Sequence, residues 1–281
     1  MKFAACFAAF ALAIAAPAWA QDPPIVTVQQ VDALTTGSVF PGPREGETRP
    51  VWVWRPSNAP VTRLPTLYMA DGLDGLYVVV AHLQPLVEAG TIPPFLVIAT
   101  NANPDSRQRA AEYLRGWSGG SDDFAAHESW LIEHVIPWAE RTQRAANARE
   151  QRFIGGFSNG ADLAWQLANA HPDLFGGALV HSPVGADAAW IGPQAAAQRW
   201  VITGGTQEVG GTLERGGQLP RDIAQAVERA GAPYRVCIGR WGHVGRIWRE
   251  LSPGSVVWLL GLSDPASVAT PREQSACRVG P

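Results

Sequence analysis

The stretch Phe153–Ala168, FIGGFSNGADLAWQLA, decides how this chain is read. An apolar run meets a glycine-flanked serine, and a helix-like pattern starts directly after it. The centre, Gly156-Phe157-Ser158-Asn159-Gly160, has the form Gly-x-Ser-x-Gly. Such a segment can be an ordinary Gly-rich turn. Between a strand and a helix it has a second reading, in which Ser158 sits on a sharply bent backbone. The glycines then remove the Cβ atoms that would collide with the neighbouring strand and helix. The helix that follows points its N-terminus at the serine, where free N–H groups and the helix dipole favour negative charge.

The surroundings support the strand–turn–helix reading. Nearly continuous apolar runs in TLYMADG, FLVIATNAN, RFIGGFS, GGALVHSP, RWVITGG and YRVCIGRWG read as parallel strands buried on both faces. Helical patterns separate them over 75–89, 122–144, 161–171 and 220–231. This alternation predicts an α/β fold, with a mostly parallel central sheet, helices on both faces and right-handed crossovers. Ahead of it, IVTVQQV and PVWVWRP, joined by PGPREGETR, read as an N-terminal antiparallel hairpin. A final apolar segment over 255–262 closes the domain, and the Pro/Ser/Arg-rich tail after Asp264 reads as loose.

The opening MKFAACFAAFALAIAAPAWA has a positive start, a short apolar run and a small-x-small end. It predicts a secretory signal over 1–20, cut after Ala20, and hence a secreted, periplasmic protein. The apolar run falls short of the roughly 20 residues a membrane helix needs, so stable membrane insertion after cleavage is not expected. Residues 21–263 then form one domain and 264–281 a C-terminal tail. Without Lys2, 21 arginines face 25 acidic residues, a charge of −4. This balance speaks against nucleic-acid binding. Two cysteines remain, Cys237 and Cys277. An even pair in an oxidising compartment suggests one disulfide, tying the tail to a core strand, or else two free thiols.

A serine nucleophile needs a base. Of the six histidines, His82, His127, His134 and His171 fall in or beside helical patterns. His127 and His134, with Glu128 and Glu133 beside them, lack metal-site spacing and read as a solvated helix face. His181 ends the strand after Ser158 and is a minor candidate. His243, in GRWGHVGRIW just past the last core strand, has the position that the chain order Ser, acid, His requires. For the acid, Glu208 follows the strand RWVITGG, with Glu214 and Asp222 as competitors. A carboxylate there would hold the imidazole in one tautomer and stabilise its charged form. The oxyanion needs two main-chain donors. The Asn159 N–H is one; the loop after TLYMA supplies the other from Leu73, with Gly72 giving the substrate room.

These blocks together resemble the enterochelin-esterase-like group of the esterase D family of α/β-hydrolases. The resemblance runs from about Thr48 to Leu262. It rests on VWVWRP before LPTLYMADG, on RAAEYL, LIEHVIPWAE and the serine block with its downstream HPDLF and SP, and on TGGTQE and GRWGHVGRIWRELSPG. Two positions depart from the family pattern: Ala161 stands where a second glycine is usual, and Phe157 where a polar residue or His is commoner.

The resemblance implies hydrolysis of small carboxylic esters through an acyl-enzyme on Ser158, with no metal or organic cofactor. Siderophore or aryl esters are the expected substrates. Trp117, Trp190 and Arg115, in loops expected around the site, and Arg109 are then candidates to stack aromatic rings and grip anionic groups; the alternative for each is a core filler or a solvated charge. Two other functions stay open: an acyltransferase of the same fold, and a non-catalytic binding protein.

Overall fold

The computed structural model describes residues 28–30, 35–117, 122–208 and 218–280. The expected signal peptide and the competitor acid Glu214 lie outside them. The centre is a sheet in the order β1-β2-β3-β5-β4-β6-β7-β8-β9-β10. Its parallel middle comprises β4 (Thr66–Met69), β5 (Leu96–Thr100), β6 (Arg152–Phe157), β7 (Gly177–His181), β8 (Arg199–Gly205) and β9 (Tyr234–Gly239). These strands are the apolar runs of the sequence, and they are buried because helices cover both faces.

Along each strand successive side chains enter opposite cores. Tyr68, Ile98, Ile154, Val180 and Ile202 join one cluster, while Leu67, Val97, Phe153, Leu179 and Val201 join the other. The first face is sealed by α4 (Ile136–Thr142), α5 (Asn159–Ala170) and α6 (Gln218–Arg229), through Trp138, Leu163, Leu167, Ile223 and Val227. The second is sealed by α1 (Gly72–Glu88) and α8 (Pro253–Leu260), through Leu76, Val80, Leu83, Val256 and Leu259. Fully burying each such side chain is worth about 1.5–3 kcal/mol. No helix among the described residues is long and apolar enough to cross a membrane.

An antiparallel N-terminal hairpin is present, but PVWVWRP pairs with TTGSVFP and not with IVTVQQV as expected. β3 (Thr48–Trp54) pairs over its whole length with β2 (Thr35–Pro41), and β1 (Val28–Gln30), the described part of IVTVQQV, adds outside β2. The segment TTGSVFP carries a glycine and a proline and little alternation, which hid it as a strand. Gly37 is required there because a Cβ would meet the Trp52 ring at 2.3 Å.

The tail is not loose. Thr270 and Glu273 form a reciprocal capping box for α9 (Pro271–Ala276). The buried Glu273 carboxylate also accepts the N–H groups of Gly254 and Ser255 at 2.9 and 2.8 Å. β10 (Cys277–Val279) then pairs antiparallel with β9, and Cys277 lies opposite Cys237 in that register, disulfide-bonded to it.

His127 also departs from its solvated reading. It lies in α3 (Asp123–Ser129), fully buried between Tyr113 and Trp130 and 3.3 Å from the Glu112 carboxylate. Burial alone would raise the Glu112 carboxyl, but His127, the Asn103 N–H and Arg49 outweigh it and hold it below its ordinary value.

Candidate active site

Ser158 stands between β6 and α5 with φ 55° and ψ −131°, a strained conformation for a residue with a Cβ. The turn is possible because of its two glycines. A Cβ on Gly156 would meet the Gly160 carbonyl at 2.3 Å, and one on Gly160 would meet the Asp71 carboxylate at 2.6 Å. The Ser158 N–H is held by the His181 carbonyl at 2.9 Å, and the Ser158 carbonyl takes the N–H groups of Ala161 and Asp162. Those two bonds start the α5 ladder, so the Asn159 N–H precedes it without an intrahelical acceptor.

The loop after β4 makes a second tight turn beside the first. Asp71 and Gly72 both have positive φ, 68° and 54°. The α1 ladder opens with the Gly75 N–H on the Asp71 carbonyl, so the Leu73 N–H also lies ahead of it. Asp71 is anchored twice: its N–H donates to the Tyr113 hydroxyl at 3.1 Å, and its carboxylate accepts Arg109 Nε at 2.7 Å. Burial pushes the Asp71 carboxyl up, against the pull of Arg109. Arg109 lies on α2 (Ser106–Tyr113), a helix the polar sequence SRQRAAEY did not announce; Asp105 caps it by accepting the Arg107 and Gln108 N–H groups.

Ser158 opens into a cleft of about 690 Å³ that also exposes His243, Asp71, Arg109, Asn101 and Trp248. Glu208, three residues past β8, is 3% exposed. Its Oε2 lies 3.2 Å from His243 Nδ1. Hydrogen bonding at Nδ1 leaves the other ring nitrogen of His243 for a proton acceptor role. No hydrogen bond joins the Ser158 hydroxyl to the imidazole, a contact that commonly tightens only around substrate.

His181 does not enter this cleft. It is fully buried, with Nδ1 at 2.8 Å from the Thr203 hydroxyl and Nε2 at 3.3 Å from the Ser252 hydroxyl. Burial lowers its pKa to about 3, so it stays neutral. Asp222 lies on α6, where it accepts a hydrogen bond from Gln218, and it does not line the cleft.

Of the four substrate-contact candidates, the cleft takes in Arg109 alone. Arg115 sits over the Phe124 ring and reaches Glu128. Trp117 and Trp190 are half-exposed outside the cleft wall.

Two further residues contribute, of which sequence reasoning missed Ser182. Trp248, on α7 (Gly245–Glu250), stacks on Phe157 at 4.3 Å and 17° and meets the His243 ring edge-on at 4.9 Å. Phe157, which departs from the family pattern, therefore has an aromatic partner in this chain. Ser182, at the end of β7, hydrogen-bonds both Trp248 and Glu208. The SP dipeptide after β7 was the signal, but contacts 66 and 26 residues apart in sequence were not legible from it.

A serine on a strained turn, an imidazole paired with a carboxylate and an α/β sheet define a serine hydrolase of carboxylic esters. The chain belongs to the putative esterase family, whose model matches residues 43–208 and so takes in Leu73, Ser158 and Glu208. No curated protein matches it by sequence. Among solved structures, a ferulic acid esterase is similar with TM-score 0.63 and 17% identity, over 83% of this chain and 97% of that one. An S-formylglutathione hydrolase from Agrobacterium tumefaciens is similar with TM-score 0.60 and 16% identity, over 84% and 98%. The enterochelin esterase of Shigella flexneri gives 0.57 and 14%, over 83% of this chain and 59% of that one. At these identities the likeness speaks for the shared α/β-hydrolase fold.

Proposed function

We propose that the chain is an exported, periplasmic esterase that works through an acyl-enzyme on Ser158 and acts on aryl or siderophore-type esters. The observation that carries the mechanism is the Glu208–His243 hydrogen bond beside a strained Ser158 in one cleft. His243 takes the Ser158 proton as the hydroxyl attacks the ester carbonyl, and the charge it gains is stabilised by Glu208. The oxyanion is received by the N–H groups of Asn159 and Leu73 at the starts of two helices. The protonated imidazole then gives its proton to the leaving alcohol. Water, deprotonated by the same ring, releases the acid and restores Ser158.

For the substrate, the Phe157–Trp248 stack offers an aromatic wall and Arg109 a cation in the same cleft. The names of the similar ferulic acid and enterochelin esterases point to the same class of ester. Export is supported by the N-terminal sequence and agrees with a disulfide. A panel of nitrophenyl acetate, aryl esters and siderophore esters, run with Ser158→Ala and a fluorophosphonate label, tests the reading. It expects labelling of the wild type alone and higher kcat/KM on the aromatic esters. Equal turnover by Ser158→Ala would overturn the mechanism, and a preference for simple acyl chains the substrate class.

One observation favours acyl transfer as a second reading. A further cleft of about 540 Å³, lined by Tyr77, Val78 and Ala81, shares Asp74, Phe157 and Trp248 with the first. It gives an acceptor alcohol a place beside the acyl-enzyme. Faster transfer to added alcohol than to water would select this reading.

A further inference from the structure

We propose that Ser182 is a positioning residue for this reaction, its hydroxyl fixing the rotation of the Glu208 carboxylate that faces His243. The inference rests on the Ser158–His243–Glu208 chemistry above and adds a fourth side chain to it.

The hydroxyl has no freedom of its own. Trp248 Nε1 lies 2.9 Å from Ser182 Oγ, and an indole nitrogen can only donate. Ser182 therefore accepts from the indole, which leaves its single proton for Glu208 Oε1 at 2.7 Å. The Gly205 N–H reaches the same oxygen, also at 2.7 Å. A carboxylate at the end of a Glu side chain turns on a broad, roughly two-fold torsion. Two donors on Oε1 select one rotation, and that rotation presents Oε2 to His243 Nδ1. Ser182 and Glu208 are both buried, so water does not compete for these bonds.

The backbone adds a second argument. Ser182 has φ 52°, where a glycine would be comfortable and a serine is strained. A position that needed only the turn would be relieved by glycine. The side chain is retained at this conformation, and its hydroxyl spans the gap between the α7 indole and the carboxylate after β8. Trp248 meanwhile touches the Phe157 ring next to Ser158 and the His243 ring. The hydroxyl thus closes a circuit of contacts running from the nucleophile's neighbour through the indole and the acid to the base.

The experiment compares Ser182→Gly, Ser182→Ala, Glu208→Gln, Ser158→Ala and the double variant Ser182→Gly/Glu208→Gln on nitrophenyl acetate. Ser182→Gly keeps the backbone conformation and deletes the hydroxyl; should it fold poorly, Ser182→Ala carries the test. A positioning role gives a kcat 10- to 100-fold lower, a KM within twofold of wild type and a Tm within a few degrees. It also gives a double variant no slower than Glu208→Gln alone, because the hydroxyl acts only through the carboxylate. Wild-type kcat in a folded Ser182 variant would overturn the proposal, as would losses that multiply in the double variant. Full turnover by Ser158→Ala would instead remove the esterase chemistry beneath it.

Discussion

At the carboxyl ends of β4, β6 and β7 the chain turns through Asp71, Ser158 and Ser182, each with positive φ and none of them glycine. At the far margin of the sheet, β9 and β10 run in plain antiparallel register and are joined by Cys237–Cys277. The rim keeps side chains where the backbone would prefer none, because those side chains hold the site: Asp71 grips Arg109, Ser158 faces the cleft and Ser182 reaches Glu208. The margin carries no such strain, and its covalent link serves stability. Rim changes should therefore move rates more than melting temperature, and margin changes the reverse.

The largest expected effect tests the rim. Ser158→Ala should lower kcat by about 10⁴-fold or more while leaving Tm near wild type, read by steady-state kinetics and calorimetry. Next comes Glu208→Gln, which keeps the shape but loses the charge opposite His243. A fall in kcat of roughly 10³-fold is expected, with KM little changed; an unchanged rate would remove Glu208 from the reaction.

At the margin, Cys237→Ser/Cys277→Ser should cost about 3–4 kcal/mol by loop-closure arithmetic for a separation of 40 residues. For a chain of this size that is a Tm roughly 10 °C lower, with kcat at 25 °C unchanged. If kcat fell in step with stability, rim and margin would not be separable. The smallest effect comes from His181, the buried neutral counterpart of His243. Its pKa is about 3 in the fold against about 6.5 in the unfolded chain. The unfolded state thus binds the extra proton first on acidification. Stability from this group is complete above pH 6.5 and is lost as pH falls toward 3, reaching about 2 kcal/mol at pH 5. Denaturant titrations should show this slope in the wild type and a flatter one in His181→Gln.

The same contrast explains what the sequence could reveal. The parallel strands were legible because burial on both faces demands continuous apolar runs. The turn at Ser158 was legible because close approach leaves only glycine at 156 and 160. Glu208 and His243 could be chosen because chain order along the sheet ranks strand ends. Ser182 could not, since its value lies in hydrogen bonds to distant segments and not in any local pattern. Arg115, Trp117 and Trp190 were placed near the site because they lie in loops; the fold instead sends Arg115 to Glu128 on α3 and leaves both tryptophans outside the cleft. The tail misled because a composition rich in Pro, Ser and Arg conceals one buried glutamate, Glu273, that binds it down.

The pairing of β10 with β9 has a consequence for how the protein is made. Until residues 277–279 emerge, β9 presents an uncovered edge with unpaired main-chain groups, and uncovered edges recruit strands from other chains. A chain shortened before Cys277 would keep its Ser158 cleft intact and yet be prone to self-association, so aggregation, rather than lost chemistry, would be the first symptom of trimming.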